Sequence, residues 1–365
     1  MKHVKKWATS AACLAALGFI AVGCGTTQSS PPGGGGGAAT TNTTSSTPAG
    51  NLMTVKVAMD EPSPSMAGIV LADKLGYFKQ QGIQIQATSF ASGADAMTGL
   101  AANQVDVAPG LISAYVFNAV QSGLNIKIVA DEGRDQPTKG YFEFVLRKSL
   151  ASKITNYSQL KGLTLGIASR GNINELMLDK VLAKGGLTEK DVHIKVVDDF
   201  ADFNTALANG AMDGAMQIEP FITLGEQKNI AVPFKTPGAY GPNEEISVIM
   251  YSPQFASNKQ LATRWMTAYL EGVRAFDNAM VYGNQNRQQV AKIMAAYTKT
   301  SVTQFEAMNM PLLDPNGYVD PAAVQSDETW YAGQGTVKTP VAVNKVLDPQ
   351  FAQAAVAKLG SYQKP

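Results

Sequence analysis

The polar side chains of this chain that could hold a small molecule carry mixed signs. Arg170 stands in Ser169-Arg-Gly-Asn172, just ahead of an apolar run with helical spacing. A guanidinium there is placed to meet an anion. Glu61 and Glu219 point the other way, because carboxylates at a cleft favour a ligand with N–H donors or positive charge. Ser63, Ser92, Ser113, Ser169, Asn172 and Gln217 can donate and accept. Ser92 and Ser113 equally suit helix N-caps. Gly93 and Leu111 belong to the same short loops. Such a set suits a ligand with both donor and acceptor edges, a pyrimidine or related heterocycle, better than a simple oxyanion. Tyr115, Phe117, Tyr141 and Phe221 could stack on a flat ring, although aromatic residues of this kind more often fill cores.

Chemistry that would convert a ligand finds little support. The two histidines are His3 and His193, the latter in an alternating strand, so a histidine triad or multi-histidine metal site is excluded. No G-x-x-x-x-G-K-[ST] occurs, no G-x-S-x-G elbow, and no G-x-G-x-x-G after a strand. No cofactor, metal or catalytic residue is expected. With 30 basic and 29 acidic residues, the chain shows no footprint for nucleic acid.

The elements that must position these groups alternate between strand and helix. Met53–Met59, Ile83–Ser89, Val105–Ala108 and Ile126–Ala130 read as strands, separated by helices over 66–78, 94–103 and 112–122. That order predicts a mainly parallel, helix-covered sheet. The grammar repeats with strands at 163–168, 192–197 and 214–217 and helices at 173–184, 203–208 and 221–227. Leu100…Asp106-Val-Ala108 and Leu207…Asp213-Gly-Ala215 share one spacing, and Phe90 and Phe200 precede the corresponding helices. Two α/β lobes of similar plan follow. Tyr141–Arg147 and Ile246–Tyr251 read as the strands by which the chain leaves the first lobe and returns. The helical stretches from Leu261 onward are expected to pack on the first lobe. The expected partition is 51–150 plus 245–365 for lobe 1 and 151–244 for lobe 2. Ligands in open α/β sheets bind beyond the carboxyl ends of strands. The loops 60–65, 90–93, 109–113, 169–172 and 217–220 are therefore expected to face one cleft, with helix N-termini offering N–H groups to an anion.

The first 24 residues read as a targeting segment, with Lys2, Lys5 and Lys6 ahead of an uncharged run, 8–22, too short to span a membrane. Ala21-Val-Gly-Cys24 resembles a bacterial lipobox, which makes Cys24 the expected lipidation site. Cys13 leaves with the signal peptide, so the mature chain has no free thiol. Residues 25–50 are Gly-, Ser-, Thr- and Pro-rich and uncharged, a linker with a root-mean-square span of roughly 30 Å.

Several motifs then point to one family. Met66-Ala-Gly-Ile-Val-Leu-Ala-Asp-Lys-Leu-Gly-Tyr-Phe78, Gln81-Gly-Ile-Gln-Ile85, Ala101–Pro109, Ser158–Ile167, Leu207–Ala215 and Glu219-Pro-Phe221 resemble, in order and spacing, bacterial solute-binding proteins of nitrate, sulfonate, bicarbonate and thiamine-pyrimidine importers. Gln104 departs from the usual glycine of one motif. The resemblance implies a periplasmic-binding-protein-like fold of type II, two doubly wound α/β lobes joined by two crossing strands, with a helical C-terminal extension on lobe 1. It also implies a lipid-anchored, extracytoplasmic, monomeric capture protein that hands its solute to an ABC permease and ATPase. The alternatives it leaves open are a pyrimidine-biosynthesis-type enzyme on the same fold and a surface sensor without transport.

Overall fold

The computed structural model describes residues 51–59, 62–90 and 93–365. Cys24, the targeting segment, the linker, Glu61 and Ser92 lie outside the described residues.

Ten strands form two five-stranded sheets. The first holds β1 (Met53–Ala58), β2 (Ile83–Thr88), β3 (Val107–Leu111) and β4 (Lys127–Arg134). The second holds β5 (Phe142–Arg147), β6 (Thr164–Ile167), β7 (His193–Val196), β8 (Gly214–Ile218) and β9 (Ala231–Pro233). The chain then returns to the first sheet as β10 (Glu245–Tyr251). The orders are β2-β1-β3-β10-β4 and β7-β6-β8-β5-β9. In each, four strands run in one direction and the fifth, the strand next to a crossing, β10 or β5, runs antiparallel to both its neighbours. β5 thus lies wholly in the second sheet, and the boundary expected after residue 150 falls between β4 and β5.

The sequence repeat has a structural cause. The Asp106 carboxylate accepts the Lys56 N–H of β1 at 2.8 Å, and the Asp213 carboxylate accepts the Thr164 N–H of β6 at 3.0 Å. Each aspartate opens the central strand of its lobe and pins it to the neighbouring strand. Leu100 and Leu207, six residues earlier, are fully buried beneath. Asp213 also pairs with Arg147 of β5 at 2.7 Å. Replacing Asp213 with Ala removes the acceptor from a peptide N–H and from Arg147. The expected loss is about 1–3 kcal/mol in urea unfolding; a change below 0.5 kcal/mol would contradict this role.

The helix expected over 66–78 is divided. A 3-10 turn, Pro64–Met66, leads into Ala67–Lys74, and Gly76 at φ 84° breaks the run before Tyr77–Gln80. Ala67–Lys74 packs on the long helix Lys259–Phe276. Between them Gly272 meets Gly68 so closely that a Cβ on Gly272 would stand 2.1 Å from the Gly68 carbonyl oxygen. Trp265 stacks on Tyr269 at 5.4 Å in the core beside them.

The C-terminal helices divide between the lobes. Gln350–Leu359 packs on Lys259–Phe276 and β4, as expected for lobe 1. Pro321–Gly333 instead touches helices of both lobes. Its Tyr331 hydroxyl donates to the Ile112 carbonyl at 3.0 Å, and its Trp330 indole donates to Asp179 at 2.9 Å.

Candidate functional site

A cavity of about 390 Å³ opens where the carboxyl ends of the strands converge. Lobe 1 supplies Ala58, Met59, Phe90, Met97, Leu111 and Tyr115; lobe 2 supplies Ala168, Ser169, Asn172, Asp198 and Phe200. The sheet topology explains this position. β3 shares only the Val57–Val107 rung with β1, so its last residues, Pro109, Gly110 and Leu111, run on beyond that partner and line the cavity. Pro109 lacks a donor and is tolerated there because this edge of the strand has lost its neighbour. The stretch 109–111 was expected as loop; pairing with β10 at Ile249, Val248 and Ser247 makes it strand.

Behind Leu111 and Phe200, which wall both spaces, lies an inner chamber of about 40 Å³. It is lined by Ser63, Ser65, Ser247 and Glu132, with Met66 and Ile218. Glu132 is only 2% exposed, and its Oε2 accepts the Gly110 N–H at 2.9 Å. Ser65 donates to Ser63 at 3.3 Å, and the Ser247 hydroxyl lies 3.1 Å from the Tyr141 hydroxyl. The chamber is therefore a patch of hydroxyls and one carboxylate at the end of a cleft whose wall mixes apolar and polar residues.

The lobes also touch through backbone. Ser113 and Asn172 form a two-residue bridge: the Ala114 N–H donates to the Gly171 carbonyl at 2.8 Å, and the Ile173 N–H donates to the Ile112 carbonyl at 2.9 Å. The Asn172 side chain donates to Ser169 at 2.7 Å and accepts the Asn174 N–H, capping its helix. The foremost N–H groups of the helices Ala114–Gln121 and Ile173–Ala183 are thus already bonded.

Among the residues singled out from sequence, Ser63, Gly93, Leu111, Ser113, Ser169 and Asn172 line the cavity or its inner chamber. Arg170 does not. Its exposed guanidinium is clamped between Glu175 and Glu189; partial burial pulls its pKa down, and the two carboxylates together outweigh that and raise it. Gln217 is fully buried, donating to the Phe200 carbonyl at 3.2 Å. Glu219 is also fully buried. It accepts the Thr223 N–H at 3.1 Å, the Thr223 hydroxyl at 2.8 Å and the Asn309 N–H at 3.0 Å. Burial pushes its pKa up to about 7 against the pull of those donors. It fastens the tail to lobe 2 rather than facing the cleft. Of the aromatic candidates, Tyr115 lines the cavity, while Phe117 and Tyr141 are buried in the core. Glu132, Ser65, Ser247, Asp198, Phe90 and Phe200 line the cavity or its inner chamber without having been singled out as contacts, although Ser65 and Phe90 sit in loops expected at the cleft and both phenylalanines belong to the repeat.

A family model described as NMT1/THI5 like matches residues 63–278. YtlA of Bacillus subtilis (strain 168), named as a binding protein on expectation only, is 28% identical over 180 residues, 49% of this chain and 52% of that protein. The match thus spans about half the length of that curated relative. Among solved structures, the ligand-binding component of an ABC-type import system from Staphylococcus aureus, with zinc bound, superposes with a TM-score of 0.69 at 18% identity, covering 83% of this chain and 98% of that one. The periplasmic nitrate-binding protein NrtA from Synechocystis PCC 6803 gives 0.71 at 14% identity, covering 86% and 91%. The alkanesulfonate-binding protein SsuA from Xanthomonas axonopodis pv. citri, bound to MOPS, gives 0.65 at 15%, covering 82% and 99%. The fold is that of periplasmic binding proteins.

Proposed function

Because the chain belongs to the NMT1/THI5-like family, we propose that it is the solute-binding component of an ABC importer, working on the extracytoplasmic face of the membrane. The observation that carries this reading is the cavity lined from both lobes. A ligand touching both walls favours the closed arrangement, and a permease that separates the lobes releases it. The likeness to import components supports the same reading. No helix among the described residues is long and apolar enough to cross a membrane. A diacyl group on Cys24 would hold the protein at the surface, with 25–50 as the tether.

Two measurements test this. Fractionation should find the wild-type chain with membranes and Cys24→Ala in the soluble fraction; a variant that stays with membranes removes the anchor. Thermal denaturation of the purified protein against oxyanions, sulfonates, amines and neutral heterocycles should show at least one stabilising compound, since a ligand at a hundred times its Kd adds about 2.7 kcal/mol. A panel without any stabilising compound counts against capture.

A further inference from the structure

The chemistry of the cleft points to the class of solute. This inference rests on the capture reading above and deepens it. Among the described residues lining the two chambers, none is Lys, Arg or His, while Asp198 and Glu132 are acidic. Positions 60–61 and 91–92, outside the described residues, read Asp-Glu and Ala-Ser, with no basic residue among them. Arg170, next in sequence to the lining Ser169, pairs with Glu175 and Glu189 and is not part of the lining. The donors at the starts of the two helices that meet between the lobes are already engaged. The Ala114 and Ile173 N–H groups bond across the lobes, Asn174 bonds the Asn172 side chain, and Gly171 bonds Glu175. An oxyanion in the inner chamber would face the Glu132 side chain, with no Lys, Arg or His among the described lining residues to offset the repulsion.

The opposite charge fits. An ammonium has three N–H donors and no acceptor. The inner chamber offers the Glu132 carboxylate and the hydroxyl oxygens of Ser63, Ser65 and Ser247 within about 40 Å³. That space is larger than the ~10–15 Å³ one water needs, and small enough to admit only a head group. The outer cavity, walled by Phe90, Met97, Leu111 and Phe200, suits an apolar or aromatic body. We infer that the solute is a protonated amine on an apolar body, its ammonium seated against Glu132.

Calorimetric titration of the purified full chain at pH 7 with 2-phenylethylamine, 2-phenylethanol and 2-phenylethanesulfonate tests this, because the three share a body and differ in head-group charge. The amine is expected to bind at least tenfold more tightly than the alcohol and a hundredfold more tightly than the sulfonate. Glu132→Gln should weaken the amine at least tenfold and leave the alcohol within threefold. The wild-type comparison stands whether or not the variant folds. A sulfonate that binds as well as the amine overturns the inference and leaves capture intact. So does failure of the amine while a panel oxyanion stabilises the protein. Full amine affinity in a folded Glu132→Gln overturns it too. If neither these three nor any panel compound binds, both readings fall.

Discussion

Gly272→Ala is expected to destabilise the folded body by about 3 kcal/mol, the upper part of the usual range for overpacking a core. The added methyl would stand 2.1 Å from the Gly68 carbonyl oxygen and 2.9 Å from the Ala72 nitrogen. Both are backbone atoms of Ala67–Lys74, so no side chain can swing aside. The helix must move, and it carries Ile69 and Leu71 into the lobe 1 core. Gly333→Ala is the control. Gly333 is exposed at the end of Pro321–Gly333, and an added Cβ meets nothing within 4 Å. It should change stability by less than about 1 kcal/mol, with any gain coming from helix propensity. Urea unfolding of both variants decides the matter. Equal effects from the two would show that helix propensity, not the contact with Gly68, governs Gly272.

Asp277→Asn should act in the other direction and in a pH-dependent way. Asp277 lies in the short π-helical segment Asp277–Val281 after the long helix, fully buried, and neither carboxylate oxygen has a hydrogen-bond partner. Burial above all, then the carboxylates of Asp131 and Asp314, pushes its pKa up to about 8, with Lys364 pulling the other way. The native state therefore holds a proton that the unfolded chain gives up near pH 4. Its stabilising effect is complete below that value, falls as the pH rises towards about 8, and is gone above, with a limiting slope of about 1.4 kcal/mol per unit. Asn keeps the shape and never ionises. Melting curves from pH 5 to 9 should show the variant overtaking the wild type, with a gap that widens up to about pH 8. A gap independent of pH would mean that Asp277 does not titrate in this window. Buried Glu143, raised to about 9 by burial and the nearby Asp135, adds a slope of the same sign. The protein should thus be most robust in mildly acidic conditions.

The two-lobed plan was legible because it rests on local patterns. The spacing Leu100…Asp106 and Leu207…Asp213 survives in sequence because each aspartate must catch a neighbouring strand's N–H. The loops after β1, β3 and β6 were legible as cleft loops for the topological reason that places ligands beyond strand ends. Glu132 was not. Asp131-Glu-Gly-Arg134 reads as a solvated turn after an apolar strand, and it extends β4 only because β10, more than a hundred residues away in sequence, pairs alongside. Arg170 misled for the same reason. Its charge and position were visible, but its partners Glu175 and Glu189 come from the next helix and the turn beyond it. The double attachment of Pro321–Gly333 was hidden in two contacts made by Trp330 and Tyr331, neither of which a helical pattern reveals.

The bridge at Ser113 and Asn172 is made by main-chain atoms, whereas Phe90, Met97 and Phe200 line the cavity outside it. That bridge and the outer wall of the cavity are therefore written in different residues. Substitutions at Phe90, Met97 or Phe200 can refit the chamber for a new solute without redrawing the handshake that shuts it.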